Sequence, residues 1–134
     1  EIQYICENTI GKVPEAENQL WMMMGDFNSR SRVDNEVYGY ADNDPKLLVH
    51  DYIKANTPYL DVIKEKYPNE FKPTTGSKKA RIDYVYCTQP LYDRIVFADV
   101  IWDDYTTPVR DPQNLSNFWR PSDHMPILID FNLK

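Results

Sequence analysis

Cysteine is scarce: only Cys6 and Cys87 occur in 134 residues. Two thiols this far apart cannot make a disulfide framework or a four-ligand zinc site, so both read as small buried residues. Also missing is any run near the ~20 apolar residues of a membrane-spanning helix, and no basic-then-apolar leader opens the chain. The chain begins at Glu1 rather than Met, which leaves a removed leader, and with it a secreted or periplasmic location, open. Positive charge is not in excess either. Lys and Arg total 15 against 21 Asp and Glu, a net charge of -6, which argues against a broad basic surface gripping nucleic acid backbones. A polyanion would need a metal to dock. Repeats and low-complexity tracts are absent. What is present is enough apolar material, 42% of residues, for one domain of ordinary size with its own core.

Ile2, Ile5, Cys6 and Ile10 recur at three- and four-residue steps, which predicts a helix stopped near Gly11. Because that helix has no cap at its first residue, Glu1 is not expected to be a natural start. Asp44-Pro45 and Thr57-Pro58 each offer a cap followed by proline, predicting two further helices, the second over "YLDVIKEKY". Residues 20–24 form a short continuous apolar run, expected to be a strand buried on both faces and ended by Gly25. "ARIDYVYC" alternates, with Ile82, Tyr84 and Tyr86 opposite Arg81, Asp83 and Val85. "IVFADVIWDD" and "MPILIDFNL" complete at least four strands. Two polar loops are expected, residues 30–44 and residues 103–121, the second long enough to suggest a functional role.

The stretch "WMMMGDFNSRSR" poses the functional question. Gly-Asp-x-Asn is ordinary turn chemistry. Placed at the carboxyl end of a strand, it also lifts Asp26 and Asn28 toward a crevice where ligands commonly bind. Two more polar insertions stand at strand ends, "RIDY" and "SDHMP". Hydrolysis of a phosphate ester needs a hard cation held by carboxylates, a group that orients the attacking water, and donors for the phosphoryl oxygens. A histidine fit for that work is held by a carboxylate on its other ring nitrogen, and Asp83 is the acid whose strand position can reach His124. Arg30 with Arg32, and Lys78, Lys79 with Arg81, cluster near these segments; for Lys78 and Lys79 a solvated loop is the expectation.

The ordered triple "GDFN", "RIDYV", "SDHMP", each at the edge of an apolar strand, resembles the carboxyl-terminal half of the endonuclease/exonuclease/phosphatase family of magnesium-dependent phosphoesterases. The resemblance runs from about Leu20 to Phe131. It implies an α+β fold, half of a two-sheet β-sandwich flanked by helices in four α/β/β/α layers, with residues 1–134 a single partial domain. Carried over by position, Asp26 orients and deprotonates the attacking water, Asn28 hydrogen-bonds the phosphate, Asp83 backs the histidine, His124 contacts the scissile phosphate, and Asp123 contributes to the metal site. The implied cofactor is Mg²⁺, with Mn²⁺ or Ca²⁺ as alternatives, and the partner is a phosphate-ester substrate; the acidic charge does not favour nucleic acid.

Departures from the family pattern are equally informative. Nothing in residues 1–20 resembles the segments that supply the family's principal metal-binding glutamate, so the metal site looks half built. Nucleases of the family often place an aromatic residue shortly before the "RIDY" strand; here Phe71 is the sole candidate. A non-catalytic module that keeps the strands and binds through residues 103–121 is the competing expectation. Oligomeric state and substrate are not legible.

Overall fold

The structure, a computed structural model describing residues 1–102 and 122–134, is organised around the "RIDYV" segment. Its strand β3 (Asp83–Cys87) pairs antiparallel with β1 (Met22–Asp26) on one edge and with the short β2 (Leu60–Asp61) on the other. The period-2 pattern divides β3 between two cores. Tyr84 and Tyr86 pack with Cys6, Ile10, Ile53 and Tyr59 on one side. Val85 and Cys87 pack with Val62, Ile63, Ala98 and Val100 on the other. A central strand buried on both faces fixes its own register, since a one-residue slip would exchange the two sets.

Helices α1 (Ile2–Asn8) and α3 (Leu48–Asn56) supply Cys6 and Ile53 to the tyrosine face. The second core is closed by α4 (Val62–Lys66), α5 (Gln89–Tyr92) and a two-stranded antiparallel sheet of β4 (Ile95–Val100) and β5 (Ile127–Phe131). Ile127, Ile129 and Phe131 face that core while Leu128 points out, as the alternation predicts. The described residues therefore form a mixed fold with two antiparallel sheets, α1 and α3 covering one face of the three-stranded sheet, and α4, α5 and the second sheet closing the other. The fourth layer of the expected sandwich is not among them, and the expected loop at residues 103–121 lies outside them.

Several boundaries differ from expectation. The apolar run is a strand, but shifted: β1 continues through Gly25 to Asp26. It is not buried on both faces, because among the described residues β1 pairs with β3 alone and is an edge, leaving Met22 and Met24 40% and 67% exposed. Thr57 does not open a helix; it ends α3. Leu60 and Asp61 are drawn into pairing with Cys87 and Tyr86, so α4 starts later, with Asp61 as its cap. Residues 30–44 are not a bare loop, since they contain a 3₁₀ turn and the short helix α2 (Asn35–Tyr38). The Asp44-Pro45 device works as expected, the Asp44 carboxylate accepting the Lys46 N–H at 2.9 Å ahead of α3. Both cysteines are free and buried.

His50, on α3, is 3% exposed. One ring nitrogen meets the Ser29 hydroxyl at 2.8 Å and the other the Tyr86 hydroxyl at 2.7 Å. A neutral imidazole has one donor and one acceptor, which suits two hydroxyls. Burial, helped by the positive charge of Arg81, lowers the pKa of His50 to about 4. The unfolded chain takes up this proton near pH 6.5 and the folded one near pH 4, so the stability involved is fully present above pH 6.5 and is lost as pH falls through that window. The loss amounts to about 3 kcal/mol at ~1.4 kcal/mol per pH unit. Urea unfolding between pH 7.5 and 4 should show it as a difference in pH slope between wild type and His50→Gln; equal slopes would contradict it.

Candidate active site

Register places the first two acids. Asp26 and Asp83 are directly opposite each other at the last pair of the β1–β3 ladder. His124 arrives from a different part of the chain: it bridges Thr75, the Met125 N–H donates to the Thr74 carbonyl at 2.7 Å, and the Gly76 N–H donates to the Asp123 carbonyl. Thr74 ties the two segments together. It is fully buried, and its hydroxyl accepts the backbone N–H groups of Ile82 at 3.0 Å and Asp83 at 3.2 Å. Nothing in the sequence singled out this threonine, because its partners are backbone atoms.

The result is a cluster in which one ligand atom each from Asp26, Asp83 and His124 lies within 4.8 Å of the others. The expected Asp83–His124 pairing is present: His124 Nδ1 lies 2.9 Å and 3.1 Å from the two Asp83 carboxylate oxygens. Among the described residues His124 Nε2 has no hydrogen-bond partner. The hydrogen bond that the His124 ring donates to Asp83 is the main cause raising the His124 pKa above 6.5; partial desolvation opposes it, and the charges of Asp83, Asp26 and Asp123 add to it. Any stability from this interaction is thus present below pH 6.5 and lost as pH rises through the raised value.

"GDFN" turns out to be a turn and part of the cluster at once. The Asp26 carboxylate accepts the Asn28 N–H at 2.8 Å, an Asx turn. Asn28 sits at φ 47° and Gly25 at φ 155°; asparagine tolerates the first, and the second is a region side chains avoid. Gly25 does not end the strand; it lets β1 reach Asp26 with this backbone. The turn is braced from beneath: the Phe27 N–H donates to the Ile82 carbonyl at 2.8 Å, and its ring packs edge-on against Tyr84 and Tyr86. A cleft of about 500 Å³ adjoins it, lined by Asp26, Asn28, Met24 and Ile5 among others.

Other expected site residues fall differently. Asp123 is exposed and its carboxylate is not in the cluster; what it adds is negative charge near His124. Its backbone is spent on the Gly76 turn, which turns the segment so that His124 is the residue presented to Asp83. Phe71 is half-buried, packed edge-on against Tyr38. Lys78 and Lys79 are exposed, as expected for loop charges. Arg81 does not pair with Asp83; it is 1% exposed and closed against Asp34 at 2.7 Å and Asp61 at 2.8 Å.

The donor set fits a hard divalent cation held loosely. It offers two carboxylates, while the imidazole is already engaged on one nitrogen; ions of the Mg²⁺ class are commonly bound by one or two carboxylates plus water and substrate oxygens. The set lacks the thiolate and multiple imidazole ligands of a structural zinc site.

The chain resembles a solved structure, an AP endonuclease from Archaeoglobus fulgidus, with a TM-score of 0.70 and 17% identity over 98% of this chain and 52% of that one. It therefore spans about half the length of that structure, and the likeness establishes a shared fold. No family model and no curated protein matches the sequence.

Proposed function

We propose that the chain is the carboxyl-terminal half of a metal-dependent phosphoesterase of the endonuclease/exonuclease/phosphatase type. The observation that carries this reading is the meeting of Asp26, Asp83 and His124, from three separated sequence segments, at one end of a fold shared with an AP endonuclease. Asp26 orients the attacking water and takes its proton as the water oxygen bonds to phosphorus. Asn28, held beside it by the Asx turn, hydrogen-bonds a phosphoryl oxygen. Asp83 fixes the His124 ring, so that Nε2 faces the phosphate and supplies positive charge or the leaving group's proton as the P–O ester bond breaks. A divalent cation bound at Asp26 and Asp83, with the negative charge of Asp123 nearby, would add positive charge at the phosphoryl oxygens. The substrate class is a phosphodiester or phosphomonoester.

The half-domain reading is supported by the surface of β1. Leu20, Met22 and Met24, with Tyr4 and Ile5 of α1, are each at least 39% exposed along a strand edge that has no pairing partner among the described residues. Edges and apolar patches of this kind are normally covered, and the structurally similar endonuclease is about twice as long. The remainder of a two-sheet domain would pack there and complete the metal site.

It follows that the 134-residue chain alone should bind Mg²⁺ with a dissociation constant on the order of 1 mM or weaker, because a cation demanding octahedral oxygen coordination finds too few carboxylates. Calorimetric titration with MgCl₂ and an absorbance assay with bis(p-nitrophenyl) phosphate test this together. Tight binding with robust Mg²⁺-dependent turnover by the isolated chain would overturn the half-domain reading.

A further inference from the structure

Asp26 and Asn28 are exposed, yet the residue that follows them is not: Ser29 is 5% exposed. The three residues after Asn28 are tied down one by one. The Ser29 hydroxyl lies 2.8 Å from His50 Nε2, the Arg30 N–H donates to the Lys46 carbonyl at 2.9 Å, and the Ser31 N–H donates to the Tyr84 hydroxyl at 3.1 Å. The Ser29–His50 contact is the first of these and the one made by two side chains. On its far side, His50 Nδ1 meets the hydroxyl of Tyr86, on the central strand β3, at 2.7 Å. The imidazole is wedged among rings, with the Tyr84 centroid 3.9 Å and the Phe27 centroid 5.6 Å from its own. It is thus a rigid spacer between the turn and the sheet. A hydroxyl–imidazole pair also describes an activated nucleophile, but both residues are sealed from solvent and the second ring nitrogen meets a phenol rather than a carboxylate.

Asn28 is the residue that needs this spacer. It sits in the left-handed region at φ 47°, a conformation that persists where the surroundings over-determine it. Its side-chain amide has no hydrogen-bond partner among the described residues, so the backbone at position 28 decides where that amide points. The Asx turn fixes the nitrogen end of this residue, where the N–H donates to Asp26 at 2.8 Å. The carbonyl end is fixed by Ser29, and Ser29 by His50. A fully satisfied buried polar network of this kind specifies one geometry, which an apolar side chain at position 50 would not do.

We infer that His50 is a positioning residue of the candidate site: through Ser29 it clamps the backbone of Asn28, and so aims the Asn28 amide at the phosphoryl oxygen without touching the substrate itself. The use of Asn28 rests on the phosphoesterase reading; the clamp is tested without turnover. His50→Gln sets an amide where the ring carries Nε2, facing Ser29, whereas His50→Asn sets one where the ring carries Nδ1, facing Tyr86. Ser29→Ala removes the contact from the other side and keeps the test open should position 50 tolerate no change. Amide hydrogen exchange is followed by NMR in the 134-residue chain. Relative to the β3 amides, the Asn28 and Arg30 N–H groups should exchange about tenfold faster in Ser29→Ala and His50→Asn, the scale of one lost hydrogen bond. His50→Gln should stay close to wild type. In the full-length phosphoesterase proposed above, Ser29→Ala and His50→Asn should lower kcat about tenfold with KM little changed, the pattern of an interaction that matters in the transition state. His50→Gln should recover most of that loss. Unchanged protection at residues 28 and 30 in folded Ser29→Ala would overturn the clamp, as would a loss spread equally through β3 or equal in His50→Asn and His50→Gln. Locally faster exchange with unaltered kcat in an active parent would overturn the positioning role. A parent without phosphoesterase activity would sink the functional reading instead, and the exchange result would still decide the clamp.

Discussion

Asp26→Asn should lower kcat/KM of the full-length phosphoesterase proposed above by about 10²–10⁴-fold, the usual cost of losing a positioned general base, while leaving the fold intact. The turn itself gives the reason to expect a clean result. An asparagine at position 26 still offers an oxygen to the Asn28 N–H that Asp26 now accepts at 2.8 Å, and the braces on Phe27 do not involve the carboxylate. Shape is kept and charge is lost. His124→Ala should cost at least as much, since it removes both the ring facing the phosphate and the partner of Asp83. The double variant should fall well short of the product of the two losses, because groups acting on one transition state are not independent. The measurement is kcat/KM for the four proteins, with circular dichroism confirming that each is folded. Near-normal activity in folded Asp26→Asn would return "GDFN" to the status of a turn.

How much of this was legible in the sequence depends on whether the signal was local. The alternation of "RIDYVYC" identified β3 and its two faces, because a period of two is a property of the strand itself. The acids and the histidine stood out because each interrupts an apolar segment. The Asp83–His124 contact was also foreseeable, since both residues sit at strand ends and their chemistry is complementary. By contrast, whether the run after Gln19 is a central or an edge strand depends on which neighbours exist, and an apolar run reads the same in either case. Thr57 and Asp61 are equally good caps by composition; the choice was made by Leu60 pairing with Cys87, 27 positions away. Arg30, Arg32 and Arg81 looked like one kind of residue. Only the fold sorts them, by bringing Asp34 to Arg81 and Asp51 to Arg32 while, among the described residues, it brings no acid to Arg30.

Arg81 carries the largest expected effect on stability. Replacing it with methionine, close in length and apolar, should destabilise the chain by about 3–5 kcal/mol at neutral pH, because it leaves buried carboxylates without their counter-ion. Asp34 keeps Lys64 at 3.1 Å, but Asp61 loses its cationic partner in the interior. Burial already pushes the Asp61 pKa upward, and Arg81 is the main influence holding it down. In Arg81→Met the folded-state pKa of Asp61 therefore rises further above its unfolded value. The variant then binds more protons folded than unfolded, and its stability falls as pH rises through the range between the two values. The difference from wild type should accordingly shrink as pH is lowered, which a simple packing defect would not do; urea unfolding at pH 7.5 and pH 5 separates the two. Adding Asp61→Asn to Arg81→Met should restore part of the loss, since the unpaired charge is then gone. Asp61→Asn alone should be destabilising, leaving Arg81 with a single acid. The consequence for the candidate site runs through the backbone. The Arg81 carbonyl accepts the Tyr84 hydroxyl at 2.8 Å, and its N–H holds Tyr38. The residue whose guanidinium neutralises these two acids thereby also ties down the backbone two residues before Asp83, the first residue of β3 and the carboxylate that holds His124.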